Sequence, residues 1–147
     1  MQPSDLPFIE HLNQLIAINN ERFKTYARAM ERTQDSNFRS LCAQNKERTV
    51  YFNMQLIKCM VQYDQLPINS DTGLGKTYHF GMTRRFKFFN RIRGVNRNAC
   101  MWWDGLALKA YHKMLNDLQH IPHEIKRVIL QQQSILESDQ RYLKIAS

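Results

Sequence analysis

The chain has 147 residues, a formal net charge of +8 and an apolar content of 43 %. These values are typical of one globular domain with a sizeable core, and they exclude a disordered chain and a collagen. No apolar run approaches the ~18 residues that a membrane span requires, and no secretory signal is visible at the start. Three cysteines without a CxxC pair are typical of reduced thiols and exclude a disulfide scaffold. We therefore expect one cytoplasmic domain over residues 1–147.

Apolar residues that recur every three or four positions predict four long amphipathic helices. The first is expected over residues 5–32, with Asp5 as its N-cap, and the second over residues 35–63. The short break between these two helices, Gln34-Asp35-Ser36, also supplies the cap of the second helix, and it predicts an antiparallel hairpin. The third helix is expected over residues 98–119 and the fourth over residues 122–145.

The connection between the second and third helices is long and has two parts. Residues 67–78 are rich in Gly, Asn, Ser and Pro, which is a loop composition. Residues 77–92 are expected to form a short helix. The sequence therefore predicts an all-α four-helix bundle in which a crossover, carrying a short helix, joins the second helix to the third.

Most of the excess positive charge lies in one stretch, residues 76–97, which we call the basic segment. No Asp or Glu occurs between Asp71 and Asp104, while the remainder of the chain has 14 basic and 13 acidic residues. A concentrated patch of this kind suggests an anionic partner. The seven basic residues are Lys76, Arg84, Arg85, Lys87, Arg91, Arg93 and Arg97.

Aromatic residues alternate with these arginines, and three interpretations follow. The aromatic side chains anchor the crossover on the bundle while the arginines face water. Alternatively, the segment binds an acidic partner protein or pairs in a dimer. The third interpretation is binding to nucleic acid or an anionic membrane surface. On a helix, Arg84 and Arg91 share one face, and Phe86 and Phe89 share another.

Several positions on the inner helix faces are polar. A buried polar group without a partner costs several kcal/mol, so a set of such residues predicts a hydrogen-bonded polar layer that fixes helix register. A metal site is the alternative, but the Glu-x-x-His pattern of di-iron bundles is absent. The polar positions are Asn19, Asn45, Thr49, Asp104, Gln132 and Asp139.

The other motifs in the sequence do not indicate a specific binding or catalytic site. Residues 73–77 resemble the end of a P-loop, but the glycine required five residues before the Gly-Lys pair is Ser70 and no strand precedes it. His120 and His123 flank a turn and are interpreted as surface residues. Trp103 and the three cysteines lie on apolar faces, so we expect a core tryptophan and buried, inert thiols.

The order of the segments resembles the YciF-like family of bacterial ferritin-like proteins, a largely uncharacterised group associated with stress. The resemblance implies a ferritin-like bundle, a cytoplasmic setting and a homodimer. The matching stretches are Leu12-Asn13-Gln14-Leu15-Ile16, Asn19-Asn20 and residues 26–29 in the first helix, residues 38–41 and 52–56 in the second, Ser70, Gly73 and His79-Phe80-Gly81-Met82 in the connection, Ala107-Leu108-Lys109-Ala110-Tyr111 in the third and residues 122–130 in the fourth.

The resemblance also implies that the metal site of the family is degenerate in this chain. Lys24 stands where the family pattern is acidic, Met101 where it has Glu, and Gln140 where it has His; Asp104 keeps one carboxylate. An ammonium group and an amide are poor ligands for transition metals. We expect the Lys24 ammonium to pair with Asp104, or with Glu137 or Asp139 of the fourth helix, unless Lys24 extends outward.

The sequence therefore favours a non-enzymatic, stress-associated bundle without a cofactor, which acts through a protein partner or through self-association. The degenerate candidate positions for a metal are Lys24, Asp104, Glu137 and Gln140. Two alternatives stay open. One is residual di-metal (iron) binding or oxidase activity, and the other is binding of nucleic acid or an anionic membrane through the basic segment.

Overall fold

A computed structural model describes residues 6–68 and 97–146, and each regular element in these ranges is an α-helix. The helices are α1 (Pro7–Arg32), α2 (Ser36–Val61), α3 (Arg97–Asp117) and α4 (His123–Ala146). Each end lies within two residues of the end predicted from periodicity. The four predicted helices and the all-α class are thus confirmed, whereas the short helix expected over residues 77–92 lies outside the described residues.

The N-terminal ends of α1 and α2 are capped differently. The Asp35 side chain caps α2 as predicted, because it accepts hydrogen bonds from the backbone N–H groups of Asn37 and Phe38. The N-cap of α1 is Leu6, which makes no capping hydrogen bond through its side chain. The prediction of Asp5 as the N-cap is therefore wrong. Pro7 fills the first turn instead, where its missing N–H has no intrahelical acceptor to lose.

The four helices form a ring in which each packs against two neighbours. α1 packs against α2 and α3, and α4 packs against α3 and, over a smaller area, α2. α1 and α4 therefore lie on one diagonal, and α2 and α3 lie on the other. No Cα atom of α2 comes within 8 Å of a Cα atom of α3. Contacts across that diagonal are consequently made by side chains alone.

Contacts at the helix ends fix the helix directions. The Arg97 guanidinium at the start of α3 lies 2.8 Å from the Asp35 carboxylate at the start of α2. α2 and α3 are therefore parallel, and residues 68 and 97 stand near opposite ends of the bundle. At the other end, the rings of Phe8 and Tyr63 meet edge to face, with centroids 5.1 Å apart.

The core lies along the bundle axis and follows the predicted inner faces. Trp103 and all three cysteines are buried, as expected, and the cysteines are free thiols. The buried apolar side chains form one continuous cluster that includes residues from every helix. Within the described part of the chain, no helix has the length and hydropathy needed to cross a bilayer.

Candidate functional site: a buried polar layer

A set of polar side chains crosses the interior and joins all four helices. The six inner polar positions predicted from the sequence are all buried, and Arg22 is buried with them. A hydrogen-bonded chain links several of these residues to two buried tyrosines. We call this chain the polar layer: Asn19, Arg22, Tyr26, Asp104, Tyr111 and Gln132.

An ion pair lies at one end of the polar layer. Arg22 Nε donates to Asp104 Oδ1 at 2.8 Å, and both side chains are 0 % exposed. The Tyr26 hydroxyl donates to the other carboxylate oxygen, Oδ2, at 2.5 Å. Because the acceptor is ionised, these are the strong class of hydrogen bond. Both oxygens of Asp104 are therefore already bound by groups of the protein.

The remainder of the layer is a relay of amides and one hydroxyl. Arg22 Nη1 donates to Asn19 Oδ1 at 2.9 Å, and Asn19 Nδ2 donates to the Tyr111 hydroxyl at 3.3 Å. That hydroxyl donates to Gln132 Oε1 at 2.5 Å. Gln132 Nε2 then reaches α2, where it donates to Gln55 Oε1 at 2.9 Å. The relay ties the axial positions of the helices together, which is the register function predicted for it.

Burial dominates the acid–base chemistry of the layer. It raises the pKa of Tyr111 to about 12 and raises the pKa of Tyr26 well above the ordinary value for tyrosine. It also raises the pKa of Asp104, against the opposing attraction of the Arg22 guanidinium. The tyrosines therefore stay protonated and act as hydrogen-bond donors throughout the neutral range.

The expected pairing of Lys24 with Asp104 is wrong. Lys24 Nζ lies 3.4 Å from Glu21, on its own helix, and its side chain is 54 % exposed. The outward alternative is thus the one observed. Arg22 takes the inward position because residues two apart on a helix point in directions about 200° apart.

The two fourth-helix carboxylates predicted as alternative partners of Lys24, Glu137 and Asp139, do not pair with it. Asp139 forms an ion pair with Arg48 of α2. Glu137 is 41 % exposed and lies 3.6 Å from His112. The side chain of Gln140 packs against Gly105. A Cβ atom added to Gly105 would lie 3.4 Å from Gln140 Nε2. Of the four candidate metal positions, only Asp104 belongs to the polar layer.

Arg22 is the charged residue of the polar layer that the sequence prediction missed, although a signal was present. Asn19, Arg22 and Tyr26 are spaced by three and four residues and share one helix face. An arginine on the same face as an inner Asn and an inner Tyr indicates a buried cation, which requires a carboxylate partner. Asp104 was the only acidic residue predicted on the inner face of the third helix.

Only one member of the basic segment lies in the described part of the chain. The Arg97 guanidinium pairs with Asp35 and stands 4.8 Å from the centroid of the Phe38 ring. It joins the starts of α2 and α3, and its side chain is 28 % exposed. The other six residues of the patch lie outside the described residues, so their binding function stays a prediction.

Neither a metal-ligand cluster among the described residues nor a similar known protein indicates a function for the polar layer. In residues 6–68 and 97–146, no group of three or more His, Cys, Asp or Glu side chains is placed to hold a metal ion. Comparison of the chain with protein-family profiles, curated proteins and solved structures found no match. The resemblance to YciF-like proteins therefore stays a prediction.

Proposed function

We propose that the chain is a non-enzymatic, ferritin-like bundle in which an internal ion pair takes the place of a metal centre. We propose further that it acts in the bacterial cytoplasm under stress, through a protein partner or through self-association. The observation that supports this most strongly is the Arg22–Asp104 pair. The guanidinium cation and its carboxylate partner are both fully buried in the bundle core, and the core is where helical bundles build their metal sites.

The donor set of the polar layer does not fit a di-iron centre. Such centres take carboxylates from all four helices and His from two, whereas Asp104 is the sole carboxylate of the layer. Its two oxygens already accept from Arg22 and Tyr26, and a metal ion would stand beside the Arg22 cation. Residual iron binding or oxidase chemistry is for this reason the weaker alternative.

The interior is also not optimised for stability. Arg22 Nη2 and both polar atoms of Asn45 are buried and have no hydrogen-bond partner among the described residues. Each such atom costs about 1–3 kcal/mol of stability. An unpaired guanidinium nitrogen within the ion pair itself favours a polar position inherited from a binding site over one selected for register alone.

Metal analysis tests the degenerate site. Protein purified without a tag and dialysed against a chelator is expected to contain far less than one iron, manganese or zinc ion per chain, because the layer lacks ligands for them. Elemental analysis by mass spectrometry gives the content directly. A stoichiometric ion that survives dialysis would contradict the proposal.

An exposed apolar face on α2 supports the association part of the proposal. Val50, Tyr51, Met54 and Val61 are each about half exposed or more. Contiguous apolar surface of this kind is typical of a contact site. Native mass spectrometry is expected to show a dimer or a co-purified partner, and a strictly monomeric chain without a partner would count against it.

The basic segment supports the alternative function, binding of nucleic acid or an anionic membrane. Replacing Arg84, Arg85, Arg91 and Arg93 by Ser is expected to abolish partner binding, since several phosphate or carboxylate contacts are lost together. Binding requires these four side chains to face solvent, and in that case helical content should stay unchanged, because exposed charges contribute little to stability. Pull-downs, DNA shift assays and anionic vesicles distinguish the three partners. Equal binding by native and substituted protein would show that the arginines affect only solubility.

A further inference from the structure

The outward face of α2 has a regular pattern of its own. Exposed positions recur every three or four residues between residues 44 and 61, so they form one strip along the helix. The centre of the strip is apolar, because Tyr51 and Met54 are 58 % and 63 % exposed. One acidic and one basic residue flank this centre. We call these residues the α2 strip: Gln44, Glu47, Tyr51, Met54, Lys58 and Val61.

Largely apolar grooves lie on both sides of the α2 strip. One groove, of about 420 Å³, lies between α2 and α4, and its lining includes Tyr51, Met54 and Val128. The other, of about 300 Å³, lies between α1 and α2, and its lining includes Phe23, Met54 and Ile57. Protruding apolar side chains beside apolar grooves allow one surface to pack against a copy of itself, with ridges set into grooves.

The order of the charges selects the direction of such packing. If a two-fold axis passes midway between Tyr51 and Met54, two antiparallel α2 helices place Tyr51 opposite Met54 of the second copy. The same axis places Glu47 opposite Lys58 of the second copy, because both pairs are centred on one point of the helix. A parallel arrangement would oppose like charges instead. In the described ranges, neither Glu47 nor Lys58 forms an ion pair with another residue.

We propose that the α2 strip is the contact surface of a homodimer in which two α2 helices lie antiparallel across a two-fold axis. This inference rests on the self-association part of the proposed function, and it names the surface, the partner and the direction. The partner is a second copy of this chain, because one axis satisfies two charge pairs and joins two apolar centres. Aromatic and Met side chains supply the core of the contact, and the charge pairs at its rim set the orientation.

Charge-reversal variants test the pairing, with the dimer dissociation constant measured by analytical ultracentrifugation at low salt. E47K and K58E are each expected to weaken the dimer by about tenfold or more, because two attractive pairs become repulsive. An equimolar mixture of the two variants should dimerise like the native protein, since opposite charges then face each other again. Single variants with native affinity, or a mixture that stays monomeric, would refute the antiparallel pairing.

The M54E variant tests the apolar centre. It is expected to be monomeric, because it brings two carboxylates together beside the two-fold axis. Its circular dichroism spectrum should match that of the native chain, since Met54 is largely exposed. L130E is the matched control, because Leu130 is an exposed apolar residue of α4 that points about 200° away from Val128. A dimeric M54E or a monomeric L130E would show that the contact lies elsewhere.

Hydroxyl-radical footprinting shows what covers the α2 strip in the native chain. Oxidation of Tyr51 and Met54, read by peptide mass spectrometry, should fall as the protein concentration rises through the dimer dissociation constant. Oxidation of Tyr142, an exposed residue of α4, should not change. Protection that is independent of concentration would show that residues 69–96 of the same chain cover the strip, and it would overturn the proposal.

The remaining outcomes separate this inference from the proposed function. A native chain that stays monomeric at its highest soluble concentration would overturn the dimer, while association with a different protein would still be open to native mass spectrometry. A native dimer that E47K, K58E and M54E leave intact would overturn the α2 contact but not self-association. The metal content of the chain is measured independently of all these results.

Discussion

The Arg22→Met variant is expected to lose about 3–5 kcal/mol of unfolding free energy, because it leaves the Asp104 carboxylate buried without its cation. Urea unfolding followed by circular dichroism measures the loss. The deficit should shrink as the pH falls. Without Arg22 the pKa of Asp104 rises further above that of the unfolded chain, so the folded variant gains a proton and becomes relatively more stable in acid.

Two further variants separate the ion pair from simple loss of side-chain volume. The double variant Arg22→Met with Asp104→Leu should recover much of the lost stability, since a buried pair replaced by apolar side chains is often neutral. Lys24→Met should change little, because the Lys24 side chain is 54 % exposed. A double variant as unstable as the single one, or a large effect at Lys24, would contradict the assignment of Arg22 as the internal cation.

Alkaline destabilisation is the second large effect that we expect. The pKa of Tyr111 is about 12 in the folded chain, against about 10 for an unperturbed tyrosine. The unfolded chain therefore loses this proton first, and unfolding becomes easier as the pH rises from 10 to 12. The shift corresponds to about 3 kcal/mol. Burial of Tyr26 and Cys59 acts in the same direction, because it raises the pKa of each group.

The Tyr111→Phe variant isolates this contribution. It should be less stable than the native protein at neutral pH, because Asn19 and Gln132 each lose a hydrogen bond. Between pH 10 and 12, however, it should lose less stability than the native protein does. Tyr142→Phe is the control, since that ring is 60 % exposed and is largely in water in both states. Identical pH profiles for Tyr111→Phe and native protein would refute the interpretation.

The sequence by itself determined the helices and which of their faces point inward. Apolar spacing of three and four residues is a property of a single helix, so it placed each helix end within two residues. The same spacing identified the buried Asn19, Asp104 and Gln132 and the core position of Trp103. Asp35 was identified as a cap for the same reason, because a cap acts on the helix that it begins.

Only the tertiary structure decided which side chains meet. Periodicity within one helix carries no information on the rotation and axial shift of another. The cation of Asp104 was therefore expected to be Lys24, whereas packing of α1 against α3 brings Arg22 to it. Local spacing thus fixes which residues are buried, and the relative placement of the helices fixes what they bind.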